Sequence, residues 1–245
     1  MYPNSDLKAI LMDMDGTLYR KSVVRKAMIM RLLRYSAVKP FRGFQSLRII
    51  AGYRRGQEVL REKTGVQENL PDLQLKYAAN FSGSEMSSVR AEVERWMERE
   101  PLEHLRRAMR PGLREFLAHC RELGLKTGVV SDYPADAKLS AMDLSGSFDV
   151  SVCAQDNEVN VFKPNPKGLI VCAERLIVSP HQAVYIGDRA EVDGVAADRA
   201  GMNCILIGEA CDGRGKYRTV TDFWALQRML FGPGANVMSH LDPPG

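Results

Sequence analysis

The stretch KAILMDMDGTLYR (residues 8–20) decides how the rest of the chain is read. Its first half is a short unbroken apolar run, the pattern of a strand buried on both faces. Its second half opens with two aspartates one residue apart, followed by Gly-Thr. A strand that ends this way delivers two carboxylates, Asp13 and Asp15, to one place. In an open parallel sheet that place is where ligands bind, outside the carboxyl ends of the strands.

Working outward, strand-like runs recur at 125–130, 148–153, 183–186 and 204–207, with helical patterns between most of them. The helix predicted over 111–123 has Pro111 at its start and Gly124 just past its end, and helices are also predicted over 165–177 and over 191–200, the latter closing at Gly201. This alternation predicts an α/β protein with a doubly wound, Rossmann-like parallel sheet and right-handed crossovers. Residues 19–109 break the alternation, with helical patterns at 22–35, 44–63, 72–81 and 87–99. They read as an α-helical cap inserted after the first strand, leaving 1–18 and 110–231 as the catalytic core. A last helix is expected over 221–231, and the Pro- and Gly-rich segment 232–245 reads as a flexible tail.

A chain of 245 residues, 45% hydrophobic, can bury a sizeable core. No run of 18 apolar residues occurs, and the start lacks the basic-then-apolar layout of a secretory signal, so a cytoplasmic protein is expected. The five cysteines form no CxxC pair and read as reduced core thiols. His104, His119, His181 and His240 show no metal spacing. Charge is lopsided: residues 20–63 hold thirteen Lys or Arg against two acids, a net +11 within a chain of net +4, which leaves −7 elsewhere. That segment fits a multiply charged small molecule, an anionic surface such as a membrane, or simply a solvated outer face. No nucleic acid is singled out as partner. On a helical wheel 22–35 sets Lys26, Arg31 and Arg34 to one side and an inner stripe of Val24, Met28, Ile29, Leu32 and Leu33 to the other, a division that Arg25 breaks.

At the strand ends stand Asp13, Asp15, Gly16 and Thr17; then Ser131 and Asp132; then Asp188, with Asp193 five residues on; Lys163 lies in the loop before a helix. Carboxylates crowded on one rim repel unless a cation neutralises them, and hard oxygen donors suit Mg²⁺. Asp13 could then stay ionised as a nucleophile, with Ser131 and Lys163 holding a phosphoryl group and the Gly16-Thr17 backbone close to it. Asp132 falls at the same phosphate. Ser131 could instead close a turn, and Asp193 could complement a helix N-terminus.

The motifs DMDGTL, the strand ending in Ser131, Lys163 in VFKPNP, and IGDRAEVD occur in the order of the haloacid dehalogenase superfamily, which the chain resembles over nearly all of 8–207 apart from the cap. The resemblance implies a phosphatase with a cap between the first two motifs, acting on a small phosphorylated substrate. It casts Asp13 as the nucleophile that becomes an aspartyl-phosphate and Asp15 as general acid/base. Ser131 and Lys163 match the phosphate-holding positions. Asp13, Asp188 and the backbone carbonyl of Asp15 match the Mg²⁺ ligands, with Asp193 behind them. A phosphomutase, a phospho-acceptor signalling module and a catalytically idle anion-binding protein are the alternatives. Tyr19-Arg20 departs from the Asp-Ser pair common in capped members, and Phe162 replaces a small residue or Tyr, so cap specificity does not transfer.

Overall fold

A computed structural model describes residues 6–63, 68–208 and 216–232. Six parallel strands form one sheet: β1 (Ala9–Asp13), β2 (Lys126–Ser131), β3 (Val150–Cys153), β4 (Ala183–Gly187), β5 (Asn203–Ile207) and β6 (Arg218–Val220), in the order β3-β2-β1-β4-β5-β6. The expected α/β architecture with an inserted helical cap is present. Strand β6 was not expected; three residues at a sheet edge are too few to carry a period-2 signal.

β1 is buried at every position because both faces of the sheet are covered. Ile10 and Met12 point to a core shared with Val184, Ile186 and two helices, α6 (Leu113–Glu122) and α10 (Phe223–Phe231). Ala9 and Leu11 point the other way, to Tyr185, α8 (Lys167–Arg175) and α9 (Val195–Ala200). Each fully buried Val, Leu or Ile on these faces contributes about 1.5–3 kcal/mol. Cys120 and Cys172 lie in these two cores, where burial pushes each thiol up to about 12. Cys153 is buried as well, and Cys120, Cys153, Cys172 and Cys204 are all free thiols. Cys211, His240 and the tail beyond Gly232 lie outside the described residues.

Between β1 and α6 the described chain is helical: α1 (Lys21–Val38), α2 (Pro40–Arg61), α3 (Leu70–Ser82), α4 (Met86–Val93) with a π-helical continuation over Glu94–Arg99, and the short α5 (Leu105–Ala108). α3 is capped at both ends, Asn69 accepting from the Asp72 N–H and Gly83 closing it at φ +63°. Gly52 and Gly56 let α2 lie against α3; a Cβ on Gly56 would come within 2.9 Å of Tyr77 Cβ. The two chain crossings into and out of these helices run side by side. Tyr19 bridges Met109, and Arg20 N–H donates to Ala108 O at 2.8 Å. The single inner stripe expected on α1 is split: Val24 is buried, whereas Ile29 and Leu33 are more than half exposed. A wheel separates apolar from charged residues but cannot say which apolar residues face the core. No helix among the described residues is long and apolar enough to cross a membrane.

Candidate active site

The register aligns Asp13 with Val130 and Met12 with Ile186, so Asp13, Ser131 and Gly187 end neighbouring strands on one rim. Beyond Asp13 the chain turns sharply at Gly16, φ +101°, where a Cβ would sit 2.0 Å from Asp188 Oδ2. Only glycine permits that approach. Arg110 ties the turn down by donating to Gly16 O at 2.8 and 3.1 Å and to Ile207 O at 3.2 Å.

Asp13 is buried, and its two carboxylate oxygens accept from different donors, Lys163 Nζ at 2.5 Å and Thr17 Oγ1 at 3.1 Å. The Lys163 ammonium also donates to Asp193 Oδ1 at 2.7 Å and Tyr185 Oη at 3.0 Å. Asp193 is fixed on its other oxygen by the backbone N–H groups of Asp188 and Arg189, both at 3.1 Å. Desolvation opposes the charge on Lys163, but Asp13 and Asp193 beside it raise it well above the usual lysine value, so it stays ionised. Asp13 shares that cation with Asp193, and its own burial pushes its carboxyl up to about 7. Asp193, although desolvated, is held below the usual range by Lys163 and its backbone donors.

Asp15 has a separate seat. Lys138, on the short helix α7 (Asp136–Ala141), donates to both its oxygens at 2.6 and 2.7 Å, and the Tyr19 hydroxyl donates to one of them. Against the desolvation of burial, Lys138 and these hydrogen bonds keep the Asp15 carboxyl below its ordinary value. Tyr19 is driven well above the ordinary phenol value by burial and by Asp15. Asp188 pairs with Lys21 of α1 at 3.0 Å, yet its burial still raises it.

Ser131 Oγ accepts from Tyr133 N–H at 3.2 Å, so the turn bond open to it as a plain loop serine does form, and its hydroxyl hydrogen remains to donate. Asp132 turns its carboxylate to the cap, where Arg61 Nη2 lies 2.5 Å and Gln57 Nε2 3.2 Å from Oδ2. Arg61 also donates to Lys163 O at 2.6 Å. Thus Asp13, Thr17, Lys163, Asp188 and Asp193 form one connected group, Asp15 stands beside it on its own partners, and Asp132 seats a cap arginine. Tyr19 as a partner of Asp15, Lys21, Gln57, Arg61, Lys138 and Tyr185 were not singled out from sequence as site residues.

Oxygens of Asp13, Asp188 and Asp193 lie within 4.8 Å of one another, a hard donor set that suits Mg²⁺. Asp193 is kept below the usual range by Lys163 and two backbone N–H groups, whereas burial keeps Asp13 and Asp188 raised beside their lysines, which marks those two as the fitting donors. Burial that raises both carboxyls is the condition a dication would reverse.

Comparison with known proteins shows the family. The family described as haloacid dehalogenase-like hydrolase matches residues 7–201. A glyceraldehyde 3-phosphate phosphatase of Methanopyrus kandleri is 32% identical over 215 residues, 86% of each chain. The putative phosphatase YhcW of Bacillus subtilis is 36% identical over 108 residues, 42% of this chain and about half, 47%, of its own length. Among solved structures, a HAD phosphatase from Thermococcus onnurineus superposes with a TM-score of 0.56 at 23% identity, covering 92% of this chain and 99% of the other. The HAD-hydrolase YfnB from Bacillus subtilis, bound to magnesium, gives 0.67 at 13% identity, covering 91% and 98%. These structural likenesses speak for the fold. The chain belongs to the haloacid dehalogenase-like hydrolases, and within them to the phosphatases that cleave phosphoric monoesters.

Proposed function

We propose that the protein hydrolyses a small phosphomonoester through an aspartyl-phosphate on Asp13, with Mg²⁺ held by Asp13, Asp188 and the backbone carbonyl of Asp15. The observation that carries this reading is the division of partners: Asp13 is buried on Lys163 and Thr17, and Asp15, two residues on, rests on Lys138 and Tyr19. An Asp13 oxygen attacks phosphorus, the ester P–O bond breaks, and the leaving oxygen takes a proton from Asp15, which carries one once the Lys138 contact that keeps it ionised has opened. Water, giving its proton back to Asp15, then attacks the phosphoryl phosphorus, the Asp13 O–P bond breaks, and phosphate leaves. Lys163, the Ser131 hydroxyl and the Gly16-Thr17 backbone stabilise the charge on the phosphoryl oxygens, and Asp193 positions Lys163. When bound, a dication on these oxygens would add to the neutralisation of that charge. Asp132 acts by holding Arg61.

We assign 1–18 and 110–231 to the catalytic core and 19–109 to a cap that excludes water and selects the leaving group. The first relative acts, by its name, on glyceraldehyde 3-phosphate, and others are named for phosphoglycolate and hexitol phosphates. These names support a small phosphorylated metabolite of this kind as the substrate. A panel with Mg²⁺ covering these compounds, nucleotides and lipid phosphates is expected to yield free phosphate from at least one small phosphomonoester. No release from any member would refute the reading, and an isomeric sugar phosphate as sole product would replace it with a mutase.

A further inference from the structure

The α1–α2 hairpin carries seven large apolar side chains, Ile29, Met30, Leu33, Val38, Phe41, Phe44 and Leu47, that are 47–91% exposed. Elsewhere on the described surface such residues stand apart, as at Met86, Leu123, Ile177 and Trp224, which is ordinary. The cluster lies opposite the buried side of α2. At 100° per residue, Phe41, Phe44 and Leu47 fall across the helix from Ile49, Tyr53 and Leu60. The hairpin is tightly closed: a Cβ on Gly43 would come 2.2 Å from Ser36 Oγ, so only glycine lets α2 turn back on α1 here.

Charge says what such a face would meet. From residue 21 to 57 the sequence has ten Lys or Arg and no Asp or Glu. Lys21 and Arg31 are neutralised by Asp188, Glu100 and Glu103. Arg25, Lys26, Arg34, Lys39, Arg42 and Arg48 are exposed, and among the described residues no carboxylate pairs with them. A second copy docking through the same face would set two acid-free basic surfaces against each other. A nucleic acid would match the charge but offers Ile29, Leu33, Val38 and Leu47 nothing apolar to bury against. A bilayer with anionic headgroups answers both features, taking the apolar side chains at the acyl boundary and the cations on lipid phosphates.

We propose that this hairpin face docks the protein on anionic phospholipid membranes. Arg61, twenty residues beyond Phe41, stands about 30 Å further along α2, so docking at the hairpin tip leaves the catalytic rim open.

The test uses the full chain and vesicles of phosphatidylcholine with or without phosphatidylglycerol, read by co-sedimentation. It needs no turnover, so its outcome is separate from that of the phosphatase assay. Binding is expected to the mixed vesicles, at least about tenfold weaker to pure phosphatidylcholine, and weaker as salt is raised. Phe41→Ser with Phe44→Ser is expected to weaken it about tenfold or more at unchanged thermal midpoint, since both side chains are exposed. Lys39→Gln with Arg42→Gln is expected to reduce the preference for phosphatidylglycerol by about tenfold. Absence of binding at low salt, equal binding to neutral vesicles, or binding indifferent to the Phe pair would overturn the proposal. So would a solution dimer that the Phe pair dissociates, which would make a second copy the occupant.

Discussion

Lys163 places one ammonium among Asp13, Asp193 and the Tyr185 hydroxyl, and this sharing explains why two aspartates on one cation differ. Asp193 has backbone donors in addition and stays ionised; Asp13 has only Thr17 in addition, and its burial prevails. Asp15 is tuned independently by Lys138. Replacing Lys138 with Met removes the main group that lowers the Asp15 carboxyl, so the limb of the pH–rate profile set by Asp15 is expected to move to higher pH. An unchanged profile would mean that the pair does not act in turnover. Asp13, Ser131, Lys163 and Asp188 were legible because each stands at a strand end or in a loop on that rim, and Asp193 because it follows Asp188 by five residues, in the helical turn over Ala190–Gly194. Tyr185 was not, since inside a strand it reads as one more core aromatic. Nor was Lys138, which lies on a six-residue helix too short for any period to mark.

Among the elements, α2 couples the cap to the catalytic rim. Its buried glycines bring it onto α3, and its last residue, Arg61, reaches Asp132 and the Lys163 carbonyl, 71 and 102 positions away in sequence. That separation is why no local pattern revealed the contact. Both side chains of the Arg61–Asp132 pair are about nine-tenths buried, at 9% and 10% exposure. Truncation to Ala would leave Asp132 buried without its charge partner, and Arg61→Ala is expected to lower stability by about 3 kcal/mol in denaturant unfolding. It should also raise KM more than it lowers kcat if the cap end of α2 positions the substrate. A loss below about 0.5 kcal/mol would place the pair among weak surface contacts. Strand positions were legible from apolar runs; their order was not, because crossover rules fix the handedness of a connection and not which strands become neighbours. The faces of α1 were not, because the helix is apolar toward the core and toward the outside alike.

Across the whole molecule, a sheet with both faces covered converges its polar strand ends on one edge, and the buried acids there tie stability to pH and metal. Asp13 titrates near 7 folded against 3.8 as its ordinary value. Between those values the folded state binds the extra proton, so without metal, stability falls as pH rises from about 4 to 7, and the raised Asp188 adds the same sign. The lowered Asp15 and Asp193 act only below that window, where their stabilisation is lost as pH falls. The thermal midpoint in chelator is therefore expected to decline across pH 4–7, and added Mg²⁺ to raise it more at the upper end. A rise equal at both ends would count against Asp13 as a ligand. The sheet, the cap and the rim follow from strand and helix periods together with strand-end motifs. The basic, apolar hairpin surface was visible only as a charge excess until the fold showed which side chains stay outside.

The central claim is that Asp13 carries the phosphoryl group, and it can be read directly by rapid acid quench during turnover of a substrate radiolabelled in that group, followed by peptide mapping. The account predicts label on the peptide containing Asp13, released by hydroxylamine and absent from Asp13→Asn. Label on another residue, or phosphate release by Asp13→Asn at the parent rate, would contradict it.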